Sequence, residues 1–178
     1  MADATSDEIA SPSSGSTGHQ GGKASILVVS DDLERACVAL NAAVAAAASD
    51  MQVVMFFTCW GVKLVKRENL PPFRGDSIMN RALNFLNRGG ASRLRLSRYH
   101  WWGLGSAMMR RHMARKGLML IPDLIREAKE LGVRFYVCEN PLLIMGLKQE
   151  DLIDEVEDIV GVTSYISETA GCDITLFV

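Results

Sequence analysis

Long apolar runs are missing from these 178 residues: the longest, residues 36–48, is broken by Asn41. It is too short to cross a bilayer, which takes roughly 20 apolar residues in a helix. The opening segment, MADATSDEIASPSSGSTGHQGGK, has neither a basic n-region nor an apolar h-region, so no secretory leader is expected there. Its Ser, Gly and Thr content predicts a disordered tail over residues 1–23, and His19 within it is given no role. Strong charge is lacking too. A formal net charge of −2 with 22% charged residues exerts no global pull toward nucleic acid. None of the four cysteines (37, 59, 138 and 172) forms a C-x-x-C pair, and no histidine stands at ligand spacing from one. That pattern argues against a structural zinc site and predicts reduced thiols in a cytoplasm. Neither a metal nor an organic cofactor is expected.

What is present predicts one α/β domain over residues 24–178, long enough to bury a core of its own. ASILVVS (24–30) and MQVVMFF (51–57) are short apolar runs rich in β-branched and aromatic residues, as strands buried on both faces require. Between them an Ala-rich segment, 33–48, predicts a helix. IPDLIREAKELGV (121–133) has Pro in its first turn, apolar residues at helical spacing and Gly132 as a stop. A third buried strand, 134–137, follows at once, and VTSYISETAGCD predicts a short helix leading to a last strand at 174–178. Alternating strands and helices imply a mostly parallel sheet with helices on both faces. No internal repeat is visible.

One sign of charge is also absent locally. No acidic residue occurs between Asp76 and Asp123, a stretch that holds nine Arg and Lys residues, with Tyr99, Trp101 and Trp102 among Met and Leu. This basic, Met- and Trp-rich insertion, about residues 67–117, exceeds what a minimal βαβ unit needs and is functional or interfacial. Its Trp and Met residues are expected to pack or to meet another subunit. GLGSAM (103–108) has Met where a dinucleotide fingerprint needs its third glycine and follows no strand, so it is a chance match. His100 and His112 have no carboxylate nearby in sequence to orient them as bases.

Ligands of parallel α/β sheets bind beyond the carboxyl ends of strands, where the strand order reverses. Cys138 ends the third strand and Cys59 lies two residues past the second, so both belong at that pole, on either side of the first strand. The segment 141–145 can begin a helix with Pro141 at its first position, and a thiol there would meet the positive end of the helix. The bland alternative is that each is a buried free cysteine. Cys37, in line with Leu33, Leu40 and Val44, is core filler, and Cys172 precedes the last strand at the opposite pole. Asp31 and Asp32 are expected to cap the following helix, though both can also touch a substrate, Asp31 being the candidate site residue. Trp60 and Asn140, beside the two thiols in sequence, complete the candidate substrate contacts.

Four segments in this order carry a resemblance: VVMFFTCWGVKLVKR, LGSAMMRRHMARKG, IPDLIREAKELGVRFYVCENPLLIMGLKQEDLID and GVTSYISETAGCDITLFV. From about Lys23 onward the chain resembles the DsrE/DsrF/DsrH-like family, in its Met-rich branch sometimes labelled peroxiredoxin-like. The resemblance implies a flavodoxin-like (Rossmann-like) parallel sheet and assembly into homo- or hetero-oligomers. It also implies a sulfur-relay role, in which a cysteine carries sulfane sulfur as a persulfide between donor and acceptor proteins. The family's thiol position falls here on Cys138. Two features depart from the pattern: ENPLLIM stands where relatives are richer in Met and Ser, and Cys59 stands where the branch is often aromatic. A persulfide carrier needs an accessible thiolate and a shielded product. Two other readings remain: an oligomeric binding module whose basic insertion holds an anionic ligand, a partner protein or, less favoured, a membrane surface; and a thiol peroxidase. The last is discounted, because the chain lacks a Thr-x-x-Cys arrangement with a supporting Arg at that strand end.

Overall fold

The structure, a computed structural model, describes residues 21–71, 77–86, 90–96 and 104–178, apart from the side chains of residues 85, 86 and 104. Five strands among them form one sheet: β1 (Lys23–Val28), β2 (Gln52–Phe57), β3 (Arg134–Cys138), β4 (Val156–Val160) and β5 (Ile174–Phe177). Every adjacent pair is parallel, and the order across the sheet is β4-β3-β2-β1-β5. The α/β, flavodoxin-like class predicted from the alternating elements is the class observed. The tail predicted over 1–23 lies mostly outside the described residues, and Lys23 already belongs to β1.

Side chains alternate across each strand, so the two faces carry different cores. Ile26, Val28, Met55, Phe57, Phe135 and Val137 point to the larger one. There they pack against α1 (Leu33–Ala48), through Ala36, Ala39, Leu40 and Ala43. A second helix on this face, whose amphipathic periodicity is plain in the sequence, adds Ile121, Leu124, Ile125 and Ala128. The small side chains of α1 let helix and sheet approach closely, and Cys37 packs half-buried at the edge of this core. Burial and nearby Glu34 push the Cys37 thiol up, which keeps it protonated and inert.

The opposite face is covered more thinly. Phe56, Cys138 and Tyr165 form a small cluster there, joined by Leu27, Tyr136 and Val160. Tyr165 stacks on Phe56 with centroids 4.2 Å apart, and its hydroxyl and the Ser25 hydroxyl share a buried 2.6 Å hydrogen bond. An aromatic pair of this kind contributes about 0.5–1.5 kcal/mol beyond its buried area. Both contacts fasten one helix, residues 162–169, to the sheet directly beneath Cys138.

Between β2 and β3 the chain forms a 3₁₀ helix (Cys59–Val65), then α2 (Ile78–Leu86), α3 (Leu104–Arg115) and α4 (Ile121–Glu130). After β3 come α5 (Glu139–Met145) and, following β4, α6 (Val162–Thr169). Three expectations need correction. Asp32 occupies the N-cap of α1, but its carboxylate makes no hydrogen bond to the helix. The first N–H of α1 instead donates to the Arg95 carbonyl, and the Asp32 carboxylate accepts from Ser30 and pairs with Arg35. Pro141 is the third residue of α5 rather than its first; all first-turn N–H groups lack intrahelical partners, so proline costs nothing there. Finally, β4 was not anticipated: its sequence VEDIV exposes two acidic residues in a row at a sheet edge and shows no alternation.

Candidate functional site

The site is built where β2 and β3 end. Phe57 of β2 is the register partner of Val137 of β3, so the chain leaves two adjacent strands at one level. Adjacent strands lie about 4.8 Å apart. Cys138 is the residue after Val137, and Cys59 lies two after Phe57. Both thiols therefore reach the carboxyl pole together, as expected, but not on either side of β1. β2 and β3 are neighbours, and β1 lies beyond β2 with β5 on its far flank. The reversal of strand order falls at β1, so the cysteine pair sits one strand pair away from the usual ligand crevice.

Cys59 turns the chain out of β2 through a left-handed conformation, φ 49°, uncommon for a residue with a Cβ. Two residues on, Gly61 packs against the end of β1. A Cβ here would collide with the Val28 carbonyl oxygen, and the Gly61 N–H donates to the Val29 carbonyl at 3.1 Å. Only glycine lets the 3₁₀ helix lie this close, and this fixes the outward turn at Cys59. The result is an exposed Cys59 beside a half-exposed Trp60.

Cys138 differs in every respect. It is 1% exposed, packed with Phe56 and Tyr165, and followed immediately by α5. A cleft of about 370 Å³ nevertheless has both cysteines in its lining. Its walls include Thr58, Cys59, Trp60, Cys138, Asn140, Ile144 and Val162, a mainly apolar lining with one amide and one hydroxyl, the latter donating to Cys59 Sγ at 3.9 Å. Of the five candidate residues, four thus meet in one cavity. Asp31 is at the same pole but does not line it: its carboxylate is held at 2.5 Å by the buried Lys63 amine. Cys172 stands at the other pole, next to the residue whose backbone N–H donates to Lys23 at the start of β1. Val162, which follows the unanticipated β4, had no sequence signal. Lys63 had one, since a lysine within GVKLV is flanked by residues that are all buried here.

Behind the 3₁₀ helix lies a second buried amine. Lys66 Nζ donates to Asn84 Oδ1 at 3.0 Å, and Asn84 donates to the Met145 carbonyl at 2.8 Å. Burial pulls the Lys66 amine below its ordinary value, opposed by buried Asp151 and reinforced by Lys63. These bonds tie α2 of the insertion to Met145 at the end of α5, a residue that also lines the cleft. On the insertion itself, Arg110, Arg111 and Ser92 help line a separate cleft of about 290 Å³, and exposed His112 lies beside Met108 and Met109. His100, Tyr99, Trp101 and Trp102 lie outside the described residues. Among the described residues, no helix is long and apolar enough to cross a membrane, and no cluster of His, Cys, Asp and Glu could hold a metal ion.

An all-parallel α/β domain with two cysteines lining one mainly apolar cleft at the carboxyl pole defines a class of cysteine-bearing protein with a doubly wound sheet. The chain belongs to the DsrE/DsrF/DrsH-like family, whose model matches residues 20–177. It is similar to the YrkE protein of Bacillus subtilis, 28% identical over 156 residues that cover 88% of this chain and 96% of that one. Among solved structures it is similar to MTH1491, a protein of unknown function from Methanobacterium thermoautotrophicum, with a TM-score of 0.52 and 17% identity. That likeness covers 88% of this chain and 99% of the other, and concerns the fold.

Proposed function

We propose that this protein carries sulfane sulfur as a persulfide on Cys138 and passes it between a donor and an acceptor protein. The observation that carries the reading is the placement of Cys138, the thiol of a DsrE-like chain, in an apolar cleft at the carboxyl pole. A persulfide forms when a thiolate attacks the outer sulfur of a donor persulfide and the donor thiolate leaves. The apolar walls keep the product from water and from stray thiols. Asn140 supplies an amide that can donate to the terminal sulfur, and Trp60 and Ile144 shape the mouth.

Mass spectrometry after exposure to inorganic hydrodisulfide tests the reading. One added sulfur atom is expected on the peptide containing Cys138, removable by dithiothreitol, and absent from that peptide in Cys138→Ser. A wild-type protein whose Cys138 peptide never gains sulfur would overturn it. A second reading, an oligomeric module that binds an anionic ligand through its basic insertion, draws on the cleft beside Arg110 and Arg111. It predicts ligand-dependent protection of those arginines that survives loss of both cleft cysteines.

A further inference from the structure

The sulfur-carrier reading leaves a geometric difficulty. Cys138 is buried, so a sulfane sulfur fixed on another protein cannot reach it directly. Cys59 is exposed, lines the same cleft, and leaves the neighbouring strand at the same level. It is also held outward by a left-handed backbone that the Gly61 contact enforces, and unfavourable backbone of this kind collects at functional sites. We propose that Cys59 is the entry thiol of a two-step internal relay, taking sulfur from a protein donor and handing it to Cys138.

The proposal rests on the carrier reading and assigns it a route. In the first step the Cys59 thiolate attacks the outer sulfur of a donor R–S–SH. The S–S bond to the donor breaks, R–S⁻ leaves with the electron pair, and Cys59–S–SH forms. In the second, the Cys138 thiolate attacks that outer sulfur, forming Cys138–S–SH and releasing the Cys59 thiolate. Each nucleophile gives its proton to solvent, and each departing thiolate can take one back. One sulfane sulfur moves and nothing is oxidised overall, so no further reactant is needed. Burial among Phe56, Tyr165 and Val160 then shelters the persulfide that an exposed Cys59 would lose to other thiols.

The test compares wild type, Cys59→Ser and Cys138→Ser with two donors, persulfidated albumin as a macromolecular source and hydrodisulfide as a small one. Sulfur on each cysteine is read by time-resolved peptide mass spectrometry. With albumin, Cys59→Ser should load Cys138 at least about tenfold more slowly than wild type, since the remaining thiol is sterically closed to it. With hydrodisulfide the same variant should still load Cys138, which shows that its fold and cleft are intact. In Cys138→Ser, sulfur should stall on Cys59. If Cys59→Ser loads from albumin as fast as wild type, the relay is wrong while the carrier reading stands. If loading instead yields a Cys59–Cys138 disulfide and free sulfide, Cys59 discharges the persulfide and the relay is also wrong. If neither donor places sulfur on any wild-type cysteine, the carrier reading itself fails and takes the relay with it.

Discussion

Four cysteines of one sequence end in four environments, and the differences come from neighbours distant along the chain. Cys37 and Cys172 were legible from helical spacing and from the polarity of a parallel strand. The contrast between exposed Cys59 and buried Cys138 was not, because it depends on Tyr165 arriving from α6 and on Gly61 seating against Val28. Lys66 illustrates the same dependence and makes a pH prediction. The residue is 5% exposed, and burial holds its pKa below the ordinary 10.5. Between the lowered folded value and 10.5 the unfolded chain binds more protons than the folded one, so stability gained from Lys66 rises with pH across that window. Lys66→Met removes the hydrogen bond to Asn84 at a cost of about 1 kcal/mol at neutral pH. The gap between wild type and Lys66→Met in urea unfolding should widen in favour of wild type as pH rises through the alkaline range. A gap independent of pH there would show that the amine is not strained by burial.

At the scale of elements, those with a strong period were legible almost to the residue: α1 over 33–48, α4 from Ile121, and the strands flanking them. Elements whose residues answer to tertiary contacts were not. β4 is an edge strand with exposed Glu157 and Asp158, and it is recognised only through its ladder with β3. The 3₁₀ helix after β2 has one buried lysine in its last turn and another just past its end, a pattern that neither helix nor strand periodicity describes. This helix positions Cys59, and Gly61 is the residue that allows it. Gly61→Ala places a methyl group into backbone at the end of β1, where no flexible side-chain tip can yield. A loss of about 2 kcal/mol is expected, within the range for overpacking. The shift should also slow alkylation of Cys59 less than it slows sulfur transfer to Cys138, because it disturbs their relative placement rather than exposure. Stability within error of wild type, by thermal unfolding, would mean that the turn does not depend on this approach.

For the whole molecule, the distribution of uncovered apolar surface bears on assembly. Met108, at 70% exposure, and Met109 lie on α3, with Ile78 and Met79 on α2 and Leu118 and Met119 just beyond α3. All belong to the basic insertion or its edge, and Trp101 and Trp102, outside the described residues, lie directly before α3 in sequence. A single exposed Met is ordinary on a protein surface, but a group of this size in one segment is the mark of an interaction surface. The arginines along α3 would keep such a face soluble at its rim and set the register of a partner. We propose that a second copy of the chain covers it. Wild type should then sediment as an oligomer at micromolar concentration. Met108→Asp with Met109→Asp should shift it toward monomers, because each carboxylate would have to be buried without a partner built for it. The double variant should unfold on its own account at the same urea concentration as a wild-type monomer, since neither side chain belongs to the domain core. A wild type that sediments as a monomer across this range would refute the interface and leave the insertion the role of an anion-binding surface at the cleft lined by Arg110 and Arg111.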